Sequence, residues 1–169
     1  MKLKFKVTFR EYVKLLFSLT YQRPIMKALV GVAVLLVLWI VVYYLHITDL
    51  PEPVIYQYLT LIFIVVVQPI VIFTTIRKTY RSSNHISEML EMEILQKEIR
   101  ITGESFYMEV KWEKMFKIVE KPNWFLIYQN EFSAIIIPKK NISPDEIGRF
   151  RDILKDCDNV TVELSHSRY

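Results

Sequence analysis

The chain of 169 residues holds three histidines and one cysteine, and His46, His85, His166 and Cys157 are scattered with no metal-ligand spacing between any two of them. A zinc site draws three or four such side chains from short, regular spacings, so the pattern predicts no metal site and no cofactor. Catalysis by serine needs a base within hydrogen-bond reach and donors for the developing oxyanion, and no such grouping is visible. Beyond residue 82 the Asp and Glu residues alternate with Lys and Arg, as on a solvated face. Three glycines in the whole chain rule out a glycine-rich phosphate loop. The expected protein is non-enzymatic, with no catalytic residue to name.

A few other side chains invite a chemical reading beside a plainer one. Trp112, Trp124 and Phe125 can form a partner surface, since aromatic anchors carry much interface energy. In a small sheet such rings more often belong to the core, and that is the expectation here. Pro138-Lys139-Lys140 can hold a phosphate or headgroup, but it also reads as a proline ending the last core strand before two solvated lysines, which is the preferred reading. Gln68-Pro69 can be a hinge or partner contact. Its plainer reading is a tolerated kink, with Gln68 bonding a neighbouring helix. Cys157, unable to form an internal disulfide, suits a reducing cytosol and reads as a buried apolar position.

The elements that carry these residues divide into membrane-like and soluble parts. Hydrophobic residues make up 52% of the chain and mean hydropathy is +0.22. The excess lies in two blocks, 28–48 and 53–76, without one Asp, Glu, Lys or Arg. At 1.5 Å per residue each block is long enough for a bilayer core of about 30 Å. The absence of deep charges argues against an ion or proton pathway. Seven basic residues scattered over 1–27 and no small-residue cleavage site predict an anchor and not a removed signal.

Charge is distributed in the same sense. Residues 1–27 carry +6, the connector 46–53 carries −2, residues 77–81 carry +3, and everything from residue 82 carries −3, which accounts for the formal net charge of +4. The basic excess flanks the apolar blocks, so the positive-inside rule predicts both termini in the cytoplasm and the connector outside. No basic stripe is left on the soluble part to suggest nucleic acid.

Residues 1–24 read as a strand, with Leu3, Phe5 and Val7 alternating with Lys2, Lys4 and Lys6, followed by an amphipathic juxtamembrane helix opened by Thr8 and Glu11. Its apolar face is expected to be Phe9, Tyr12, Val13, Leu16 and Phe17, against the membrane or the spans. Residues 25–78 form a transmembrane hairpin with spans of about 25–45 and 54–76, bounded by Tyr43, Tyr44, Tyr56 and Tyr58 outside and Tyr21 and Tyr80 inside. Residues 79–93 are expected to continue as a helical linker. Residues 94–164 alternate and turn as an antiparallel sheet domain. Helix 144–156, opened by Ser143-Pro144-Asp145-Glu146, should cover one sheet face with Ile147, Phe150, Leu154 and Cys157, and Val160 to Leu164 can add an edge strand. Residues 165–169 are a frayed tail. The fold class is thus membrane α+β: a two-helix transmembrane hairpin followed by a small antiparallel sheet capped by a C-terminal helix. A regular N-terminal alternation further predicts that the arm joins the sheet as an extra strand.

Two spans followed by Lys111-Trp112, then Phe125 to Tyr128, then Ile137-Pro138-Lys139-Lys140 and a short capped helix resemble the bacterial YcxB-like membrane proteins. The resemblance runs from the N-terminal helix to about Asp156 and leaves the tail after Asp158 outside. It implies a two-pass anchor with a small cytoplasmic sheet domain similar to pleckstrin-homology-like barrels, and it supplies no catalytic residue. The expected function is that of a non-enzymatic inner-membrane protein of a bacterial plasma membrane whose cytoplasmic sheet domain is a protein-binding adaptor. The alternative is a membrane immunity or inhibitor protein that recognises a toxin through its hairpin. Expected partners are the lipid bilayer and another protein, at the cytoplasmic face or in the membrane.

Overall fold

The computed structural model describes residues 1–95, 97–131, 133–155, 157 and 160–164, with the side chains of Asn84, His85 and Asn141 left out. The expected tail 165–169, His166, the His85 side chain and the last residue of helix 144–156 therefore lie outside the described residues. The chain forms two compact units, one of residues Phe9–Ser82 and one of Met1–Thr8 with Ser83–Tyr169.

The Phe9–Ser82 unit is helical: α1 (Phe9–Gln22), α2 (Pro24–Tyr44), α3 (Ile55–Ile62), a π-helical turn (Phe63–Val67) and α4 (Gln68–Ser82). Arg23 is extended and puts Pro24 in the first turn of α2, where its missing N–H costs nothing. His46 ends α2 in the left-handed region at φ 53°. Its N–H donates to Tyr43 O and the Ile47 N–H to Val42 O, the two bonds of a Schellman stop with histidine in the usual glycine place. At the next start the Val54 N–H donates to Gln57 Oε1 at 3.0 Å.

The π turn explains how Pro69 is accommodated. In an α-helix its ring would crowd the carbonyl of residue 65. Here the Gln68 N–H reaches Phe63 O, five residues back, and the wider turn passes the proline within one continuous helix from Ile55 to Ser82. That helix and α2 are both long and apolar enough to cross a membrane, and most of their large apolar side chains face outward. Helix α1 buries Tyr12 and Leu15 and packs on α4. Phe9 meets Phe73 and Tyr80 edge-on at 6.1 and 5.3 Å, and Tyr12 meets Tyr80 at 5.5 Å. The packed face is centred on Tyr12 and Leu15 rather than on Val13 and Phe17, because Arg10 and Lys14 turn the opposite side outward.

The second unit contains β1 (Lys2–Phe5), the short α5 (Asn84–Ser87), β2 (Leu90–Ile94), β3 (Glu98–Thr102), β4 (Tyr107–Lys111), β5 (Lys117–Lys121), β6 (Trp124–Tyr128), β7 (Ala134–Pro138), α6 (Pro144–Lys155) and β8 (Thr161–Glu163). One sheet is antiparallel with order β1-β2-β3-β4, and the other has order β7-β6-β5-β8. The helical reading of residues 79–93 holds to Ser82 and again in α5, and fails at Leu90, where β2 begins. Leu90, Met92 and Ile94 are buried and alternate with Glu91 and Glu93, so period two wins once β1 supplies a partner ladder. The uniformly antiparallel sheet is corrected too. Because α6 carries the chain back after β7, β8 lies parallel to β5 and the second sheet is mixed.

In the first sheet burial alternates, with Phe5, Met92, Ile99 and Ile101 inside. In β5 and β6 it runs through consecutive residues, so that sheet is covered on both faces. Phe150 of α6 covers one face, meeting Phe125 edge-on at 4.9 Å.

Candidate interaction site

Strand β4 ends the first sheet and β7 ends one side of the second. A groove of about 560 Å³ lies beside these two strands, lined by Ile101, Phe106 and Met108 on one side and Gln129, Ala134 and Ile136 on the other. The alternation of β4 leaves Met108 only half-buried, while Tyr107, Glu109 and Lys111 point to solvent. Gln129 Nε2 donates to Met108 Sδ at 3.3 Å, which ties the two sheets together along the groove.

The β3–β4 turn is held at the groove by Glu88. The Ser105 Oγ donates to Glu88 Oε1 at 2.5 Å and the Ser105 N–H to Glu88 Oε2 at 2.9 Å. The Ser105 hydroxyl, and then its amide, hold the Glu88 carboxyl below the usual carboxylate range. Such a carboxylate is a poor base, so this serine and its acid form a turn clamp rather than a nucleophile pair. A Cβ at Gly103 would stand 2.5 Å from Phe106 Cε1 and 2.9 Å from Glu88 Oε2, so both side chains would have to shift to admit one.

The strongest electrostatic feature lies inside the second sheet. Glu120 is buried on β5, and its carboxylate accepts from Lys139 Nζ, from Arg151 Nη2 at 2.6 Å and from Arg151 Nε at 3.1 Å. Lys139 Nζ also stands 4.7 Å from the centre of the Phe125 ring. Burial pushes the Glu120 pKa up, but Arg151 and Lys139 outweigh it and the net shift is downward. A carboxylate held ionised between two cations neither abstracts nor donates a proton near neutral pH. Its role is to tie β5, the turn after β7 and α6 together.

Lys139 overturns the reading of two solvated lysines after Pro138. Its side chain is 6% exposed and paired with Glu120, whereas Lys140 is exposed. Glu120 and Arg151 were missed because a charge inside an apolar run, and a base one turn from Ile147, each look like a solvated position when taken alone. Trp112 is buried as expected, but it begins a 3-10 turn (Trp112–Lys114) after β4 has ended, with Nε1 donating to Leu95 O at 3.0 Å. Phe125 is fully buried and Trp124 half-buried. Gln68 bonds the neighbouring helix through Met26 Sδ. Cys157 is half-buried and not buried, because it lies past the end of α6, its Sγ donating to Ile153 O at 3.4 Å. Among the described residues no three His, Cys, Asp or Glu gather as metal ligands.

Residues 94–154 match the family model of the YcxB-like proteins. Over this segment the chain is similar to that family. The match begins at the last residue of β2 and ends in the last turn of α6, so it contains strands β4 and β7 and the Glu120, Lys139 and Arg151 cluster, while Val7, Ile86 and Leu90 of the groove lie outside it. It is narrower than the resemblance drawn from the sequence, leaving β1 and all of α1 to α4 outside. No curated protein and no solved structure matches the chain. The functional reading of the YcxB-like segment therefore rests on its own geometry.

Proposed function

We propose that the chain is a non-enzymatic two-pass membrane adaptor whose sheet unit takes an extended apolar segment of another protein into the groove between β4 and β7. The observation that carries this reading is the groove itself, bordered by two strands that each end a sheet. Such edges offer unpaired main-chain donors and acceptors to an incoming strand. Half-buried Met108 and Ala134 offer it apolar contact.

In this reading α2 and the Ile55–Ser82 helix cross a bacterial plasma membrane, with the connector outside and the sheet unit in the cytoplasm. The basic flanks and acidic connector support that orientation. A pleckstrin-homology-like fold for the sheet unit is supported by its two sheets and C-terminal helix.

Photo-crosslinking amino acids placed at Met108 and Ala134 in native membranes test the groove. A discrete partner should be captured from both positions and not from the exposed Glu113, and Ala134→Arg should abolish capture while the melting temperature stays near that of the parent. Capture only from hairpin positions such as Leu35 or Phe63 would overturn the adaptor reading in favour of the immunity alternative.

A further inference from the structure

We infer that one end of the helical unit is a binding surface for the anionic headgroups of a phospholipid leaflet. The inference rests on the reading that α2 and the Ile55–Ser82 helix cross a membrane. The packing of Phe9 and Tyr12 of α1 on Phe73 and Tyr80 of α4 brings Arg10 and Lys14 to the end of the unit that carries Arg77, Lys78 and Arg81. Arg23 and Lys27 lie where α1 passes into α2. All seven side chains are exposed, and among the described residues none of them forms an ion pair. Glu11 is the only acid of the unit outside the connector, whose Asp49 and Glu52 belong to the opposite end of the hairpin.

The arrangement fits a lipid surface better than a soluble anion. Seven cations spread over three helices and the α1–α2 junction hold no single enclosed pocket, but they match a plane of repeated negative charge. The outward side of α1 also carries Phe17, stacked on Tyr21 at 6.1 Å, an aromatic pair suited to headgroup depth. Each cation near such a surface is expected to raise affinity about fivefold.

The test uses the full chain in nanodiscs of phosphatidylcholine with a minority of phosphatidylglycerol, and native mass spectrometry of the lipids it retains. Phosphatidylglycerol should be enriched about fivefold or more over the bulk mixture. The enrichment should fall in Arg10→Gln/Lys14→Gln and in high salt, and persist in the charge-matched Lys111→Gln/Lys114→Gln. Retained lipid at the bulk ratio, or an equal loss in both double variants, would overturn the inference. Failure of the chain to enter nanodiscs at all would instead strike the membrane-crossing reading on which it rests.

Discussion

Leu3 lies opposite Met92 in the antiparallel ladder of β1 and β2, although all of α1 to α4 separates the two residues in sequence. Both side chains are buried, as is Phe5 opposite Leu90. The helical hairpin is therefore an insertion between two adjacent strands of one sheet. A chain that leaves the sheet after β1 must return to it at β2, so the two flanks of the hairpin are bound to one folded unit.

The insertion makes β1 a required strand. Phe5→Asp should cost the sheet unit about 3 kcal/mol or more, through lost packing and a buried charge. Changing Lys2 and Lys4 to Gln should cost less than about 1 kcal/mol, because their pairs with Glu93 and Glu91, at 3.7 and 3.2 Å, are exposed. Thermal unfolding of the full chain in detergent measures both, and rapid amide exchange at Leu3 and Phe5 in the parent protein would contradict the pairing.

Glu120 should behave as a buried carboxylate that is stable only when ionised. Its folded pKa is depressed, so its stabilisation is present above the unfolded value of about 4.3 and is lost as pH falls through the folded value. The parent should lose melting temperature steeply in that acid range, and Glu120→Gln should be less stable at neutral pH by about 3 to 5 kcal/mol with a flatter acid limb. Replacing Glu120, Lys139 and Arg151 together by Leu, Met and Met should recover most of that loss. If the triple variant is as unstable as the single one, the cluster's charges are needed for more than mutual neutralisation.

Much of this architecture was legible because burial imposes a period. Leu3 and Phe5 could be read as a strand from alternation alone, and Phe150 and Leu154 as the covering stripe of a helix. Leu90 could not, since with Ile86 and Met89 it falls at the three- and four-residue spacing of a helical stripe until the partner β1 is known. The buried cluster was illegible for a related reason: Glu120, Lys139 and Arg151 come from three separate elements, and each is a surface-type residue until tertiary structure removes water from all three. The groove was hidden as well, because Met108 alternates as a core residue does, Ala134 opens a continuous apolar run, and only the sheet order shows that their strands are edges.

Gly103 should be intolerant of even a methyl group. Gly103→Ala places a Cβ against Phe106 and the Glu88 carboxylate, and should cost about 1 to 3 kcal/mol. Part of that cost comes from loosening the Glu88 clamp on Ser105, so in a double-mutant cycle with Glu88→Gln the two losses should fall short of additivity. Full additivity would mean that the clash is absorbed by Phe106 alone.

Gln68 should matter little to the stability of the hairpin. Its bond to Met26 Sδ joins a side-chain amide to a weak acceptor, and interhelical bonds in membranes average about 0.6 kcal/mol. Gln68→Leu should therefore unfold within about 1 kcal/mol of the parent in a detergent titration. A much larger loss would give the π turn and its polar contact a structural weight that this bond does not explain.

In the proposed topology an apolar hairpin leaves one sheet unit and returns to it across a membrane, with both flanks on one side and the connector on the other. Single cysteines at Lys4, Thr48 and Lys114 in a Cys157→Ser background, exposed to a membrane-impermeant thiol reagent in intact bacterial cells, measure this directly. Thr48→Cys should label in intact cells, whereas Lys4→Cys and Lys114→Cys should label only after lysis. Labelling of Lys4→Cys or Lys114→Cys in intact cells, or protection of Thr48→Cys until lysis, would contradict it.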